Sequence, residues 1–76
     1  MSNVPQISGK EVIKALNKVG FQVSRQKGSH IRLVRIQGKS KQLITVPNHK
    51  IIRKGTLLSG ILKPVNLSLE DFKKLL

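Results

Sequence analysis

A chain of 76 residues without cysteine is expected to form one small domain, with no disulfide or thiolate–zinc site to supplement its core. Fifteen Lys and Arg stand against three Asp and Glu, a net charge of +12. That excess directs the chain toward a polyanion: nucleic acid, an acidic protein or an anionic membrane surface. Nothing reads as a signal peptide and no apolar run approaches the ~20 residues of a membrane span, so a cytoplasmic protein is expected.

Residues 1–7 read as a flexible polar lead and residues 8–76 as a single domain. The stretch SGKEVIKALNKVG predicts a helix. Ser8 and Glu11 have capping-box spacing, Val12, Ile13, Leu16 and Val19 share one face, and Lys10, Lys14 and Lys18 line the other. Gly20 suits the left-handed residue that closes a helix. In FQVSRQ, Phe21 and Val23 alternate with polar neighbours as in a strand. Lys27-Gly28-Ser29 is a turn with Gly28 free to take positive φ. HIRLVRI is rich in β-branched residues, QGKSK is a second turn, and QLITV is a third strand stopped by Pro47. Connections this short imply an antiparallel meander. Leu57, Leu58, Ile61 and Leu62 then recur at helical spacing up to Pro64. SLEDFKKLL opens with Ser68 as N-cap and carries Leu69, Phe72, Leu75 and Leu76 as an apolar stripe.

All three acids fall in first turns of predicted helices: Glu11 in one, Glu70 and Asp71 in another. Carboxylates are stabilising there because they complement the positive end of the helix dipole. None is left over to hold a magnesium ion, two histidines without a third ligand make a poor zinc site, and a Ser-His-Asp triad lacks its acid. There is no P-loop and no dinucleotide fingerprint. No cofactor, metal or small-molecule partner is expected.

What remains is chemistry that one histidine and several cations can perform. RNA carries its own nucleophile, the ribose 2′-hydroxyl. An imidazole can take or give that proton near neutral pH, and Lys or Arg can stabilise charge developing on phosphorus. His30 follows the glycine turn, with Arg25, Lys27 and Arg32 near it in sequence, and the Gly28-Ser29 backbone would let a phosphate approach closely. An exposed strand-end histidine without a role fits the same residues, and the sequence alone leaves both readings open. His49, after Val46-Pro47-Asn48, reads as structural or phosphate-contacting, and the lysine face of the first helix fits plain solvation as well as contact. With no Trp or Tyr, and both Phe21 and Phe72 at core positions, binding by base stacking is disfavoured and phosphate contacts should dominate.

The succession SGKEVIKALNKVGF, KGSH, ITVPNH, KGTLLSGILK and LSLEDF resembles the HicA family of small toxins. The triplet Gly-Ser-His is a weak signal, but five blocks in this order, from about Ser8 to Leu76, are far more specific. The resemblance implies an α+β, double-stranded-RNA-binding-domain-like fold: helix, three antiparallel strands and helix, with a short C-terminal helix and the helices on one sheet face. It implies an mRNA interferase, an endoribonuclease silenced by a HicB-like antitoxin, with His30 as the catalytic residue and Gly28 part of its motif. Arg25, Lys27, Gly28, Ser29, Arg32 and Lys50 are the expected RNA-binding residues. Pro64 falls where such sequences continue their second helix, so that helix is expected to end early. The competing expectations are a non-catalytic RNA- or DNA-binding module and an interaction domain for an acidic protein.

Overall fold

The computed structural model describes residues 4–76. Ser8 starts the first helix, α1 (Gly9–Asn17), with the full capping box. Its hydroxyl accepts from the Glu11 amide at 3.2 Å, and the Glu11 carboxylate accepts from the Ser8 amide at 3.1 Å. Two orphan amide donors of the first turn are thereby satisfied. Val12, Ala15 and Leu16 are buried while Ile13 is half-buried, so the apolar stripe faces inward as its spacing predicts. Gly20 takes φ +99° and turns the chain toward the sheet.

Three strands follow: β1 (Gln22–Lys27), β2 (His30–Gln37) and β3 (Ser40–Pro47), antiparallel and in sequence order. Both hairpins close with two residues, and in each the first of the two is a glycine at positive φ, Gly28 at +59° and Gly38 at +57°. Turns of this kind match the twist of the strands they join. On β2 and β3 burial alternates: Ile31, Leu33, Ile44 and Val46 lie under the helices, whereas His30, Arg32 and Thr45 are exposed on the other face. The sheet is therefore covered on one side only.

The edge strand β1 departs from the expected alternation. Phe21 is fully buried but precedes the strand, and Val23 is 52% exposed. The register shifts between Val23 and Arg25, an extra residue that twists the edge strand away from the core. Above Phe21 lies Arg35, its guanidinium 4.6 Å from the ring centroid. Arg35 also donates to the Val19 carbonyl and the Gln42 side chain, closing the gap that the short edge strand leaves.

The next helix, α2 (Thr56–Leu62), packs against β3 and is wound as π turns. The Lys63 amide reaches back five residues to the Leu58 carbonyl, at 3.0 Å. Leu57, Ile61 and Leu62 are buried, a spacing that both π and α winding accommodate over so short a segment. The helix ends before Pro64, as anticipated, and Asn66 at φ +57° reverses the chain. In α3 (Leu69–Lys74) the Ser68 hydroxyl accepts from the Asp71 amide at 3.0 Å. Only Phe72 of its stripe is fully buried; Leu69 and Leu75 pack at the margin and Leu76 is 50% exposed. The short helix has room to present one residue to the core.

Of the lead expected to be flexible, residues 1–3 lie outside the described residues. Val4 packs against the core, and Ile7 is buried with its carbonyl accepting from the Ile52 amide at 2.7 Å. Helices and core occupy one side of the sheet in an α+β arrangement of the double-stranded-RNA-binding-domain kind.

Candidate functional site

Strand alternation places residues 30, 32, 34 and 36 of β2 on the open face of the sheet. Cross-strand pairing then decides their neighbours. His30 sits between Lys27 of β1 and Pro47 of β3, and Arg32 between Arg25 and Thr45. Arg25, Lys27, His30, Arg32 and Thr45 line one open cleft with a volume of about 480 Å³. Arg25, Lys27 and Arg32, close in sequence to His30, are thus close in space as well. The two-residue turn sets Lys27 opposite His30, and regular pairing from there puts Arg25 and Lys27 on the same face as His30.

Thr45 was not singled out from the sequence. The alternation of QLITV marks it as facing away from Ile44 and Val46, but only the register opposite Arg32 assigns it to the cleft.

The floor of the site is held at one end by backbone ties between distant segments. The Asn48 amide donates to the Ser29 carbonyl at 2.6 Å, joining the exit of β3 to the turn before His30. The Gly9 amide donates to the His49 carbonyl at 2.9 Å, joining the same exit to α1. Gly9 permits this approach because it has no side chain: a β-carbon there would stand 2.2 Å from the Pro47 oxygen. The VPNH segment is therefore a junction of helix, turn and strand. His49 itself is exposed, and it is its carbonyl that ties β3 to α1.

Gly28 and Ser29 form the exposed turn between Lys27 and His30 but are not among the cleft-lining residues, and the space about Gly28 is open within 4 Å of where a β-carbon would stand. Lys50 is exposed three residues beyond the end of β3, near this end of the sheet but not among the cleft-lining residues.

Charge in the cleft has one sign. No carboxylate lines it. Glu11 is engaged in the capping box, and Asp71 lies within 3.9 Å of Lys74 on α3, beside Glu70 in the first turn. Among the described residues, no three of His, Cys, Asp and Glu come together as a metal-binding group. Both phenylalanines are fully buried and offer no stacking platform. Such an arrangement can attract a phosphodiester to an imidazole, with guanidinium and ammonium groups around it, on a surface open enough for a polymer.

A sequence model for the HicA toxin of bacterial toxin–antitoxin systems matches residues 9–66. The matched segment runs from the start of α1 through all three strands and α2 to the reversal at Asn66, and so contains every cleft residue. A search of curated proteins gives no match. Among the described residues no helix is long and apolar enough to cross a membrane.

Proposed function

Because the chain belongs to the HicA toxin family of bacterial toxin–antitoxin systems, we propose that it is a metal-independent endoribonuclease acting on mRNA, with His30 as its general base. The observation that carries this reading is the cleft in which Arg25, Lys27 and Arg32 surround His30 with no carboxylate among them.

The steps follow from the chemistry of RNA. The backbone phosphate is drawn to Arg25, Lys27 and Arg32. The exposed turn of Gly28 and Ser29, next to His30 in the chain, would let a sugar–phosphate come close, and Lys50 would add a further cation for the RNA backbone. His30 takes the 2′-hydroxyl proton. The 2′-oxygen forms a bond to phosphorus as the bond to the 5′-oxygen breaks, and the departing oxygen takes a proton from solvent in the open cleft. A 2′,3′-cyclic phosphate and a 5′-hydroxyl are the products. Guanidinium groups stabilise the extra negative charge on the phosphoryl oxygens in the transition state. Each component is supplied by this chain, the RNA or solvent water, and DNA lacks the nucleophile.

Free in a cell, such an enzyme destroys the cell's own messages, which gives a reason for the antitoxin that the family implies. A HicB-like antitoxin presenting carboxylates to Arg25, Lys27 and Arg32 and covering His30 would silence it, with long-range attraction speeding encounter.

The test is digestion of a defined RNA in EDTA, beside the same RNA with a 2′-deoxy nucleotide at the scissile position. Cleavage is expected in the first and none in the second. Strict dependence on added magnesium or manganese would overturn the mechanism. Tight binding without cleavage of either substrate would instead mark a non-catalytic RNA-binding module.

A further inference from the structure

The open face of the sheet changes character along its length. At one end the cross-strand rows are Lys27–His30–Pro47 and Arg25–Arg32–Thr45. The next two rows are Gln22–Val34–Leu43 and Ile36–Lys41, by the same pairing. Ile36 is 69% exposed, Leu43 51%, and Val34 is half-buried beside them. Three branched apolar side chains thus stand together on adjoining strands, facing away from the core. A second groove, lined by Arg32, Leu43, Thr45, Gly60 and Pro64 among others, shares Arg32 and Thr45 with the cleft and so runs from it to Leu43.

RNA cleavage gives these apolar rows nothing to do. Phosphates are bound by cations, and bases stack on aromatic rings, of which this face has none. Isolated exposed apolar residues such as Ile51 need no explanation, but a cluster contiguous with a charged cleft is the usual mark of a protein interface. We propose that Val34, Ile36 and Leu43 form the apolar half of the antitoxin-docking surface, whose cationic half is the cleft. This rests on the toxin reading above and adds a division of labour: the cationic rows serve both RNA and antitoxin, the apolar rows the antitoxin alone.

Charge decides against the other candidate occupant, a second copy of this chain. Pairing two open faces would bring two sets of Arg25, Lys27 and Arg32 into one interface with no carboxylate on either face to offset them, in a chain of net charge +12. The fitting partner presents carboxylates opposite Arg25 and Arg32 and an apolar ridge opposite Ile36 and Leu43. Apolar contacts hold where salt weakens the ionic ones, so the complex keeps the toxin silent at ionic strengths that loosen RNA.

The double variant Ile36→Thr/Leu43→Thr tests this, since threonine preserves strand propensity and both positions are exposed. Titration of the purified cognate antitoxin into wild type and variant is the main measurement, with RNA binding and cleavage by the free proteins alongside. Antitoxin affinity is expected to fall at least about tenfold, the loss of buried anchors at an interface centre, while RNA binding and cleavage stay within about twofold. An unchanged antitoxin affinity overturns the proposal, as does an equal loss of RNA binding. If wild type sediments as a dimer that the variant breaks, the face belongs to a second copy and the proposal also falls. The antitoxin titration reads out even if RNA is not cut, so failure of the nuclease reading is separable from failure of this one.

Discussion

Ile31 and Leu33 on β2 lie in the core, 6% and 0% exposed, while His30 and Arg32 alternate with them on the open face. One face carries the stability of the domain and the other the proposed site, and a strand separates the two tasks with the smallest possible step, one residue. The comparison teaches how so small a protein can carry a cationic cleft at all. Its 15 buried side chains are all apolar, no ionisable group is buried, and no side-chain polar atom is left buried without a partner among the described residues. The charge of the open face is kept where water can solvate it, so it adds no desolvation penalty to a marginal core.

The sharpest way to break this division is to change neighbouring residues on opposite faces. His30→Ala should lower the rate of RNA cleavage by roughly 10²- to 10⁴-fold, the usual contribution of a general base. Its unfolding free energy should stay within about 0.5 kcal/mol of wild type, as for other exposed positions. Cleavage at the wild-type rate would remove His30 from the mechanism. Leu33→Ala, three residues along and fully buried, should do the reverse. It should destabilise the domain by about 2–5 kcal/mol in denaturant unfolding, with activity lost only in proportion to the unfolded fraction. A stable but inactive Leu33→Ala protein would mean that the two faces are not independent.

A smaller effect should come from the cations of the open face. RNA affinity should fall steeply with salt, and Arg25→Ala or Lys27→Ala should each lower the slope of log affinity against log salt by about 1, equally for all sequences. A salt-insensitive affinity would show that base or shape contacts dominate. The smallest effect should be at the cap. Ser8→Ala should reduce stability by ~1 kcal/mol in the same unfolding assay and leave the cleavage rate of the folded protein unchanged, because α1 lies on the covered face. A rate loss would reveal that the tie from Gly9 to His49 transmits the helix position to the cleft.

Much of this was legible because local physics wrote it into short stretches. The capping box at Ser8 and Glu11, the glycine turns at Gly28 and Gly38, the alternation of HIRL and LITV and the stop at Pro64 each depend on residues only a few positions apart. The placing of all three acids in first turns of helices followed from the same local rules. What the sequence by itself determined was therefore the order of elements, the core face of α1, β2 and β3, and the gathering of His30 with the cations nearest to it along the chain. What only the tertiary structure decided depended on register and on contacts between distant segments. The extra residue in β1 sets Val23 opposite Leu33, off the face that Arg25 and Lys27 share, the pairing of Arg32 with Thr45 brings a residue of β3 into the cleft, and the Gly9–His49 and Ser29–Asn48 contacts fix the end of the sheet. A sequence states which residues alternate; which strand lies opposite, and at what offset, is set by the packing that buries the most apolar surface.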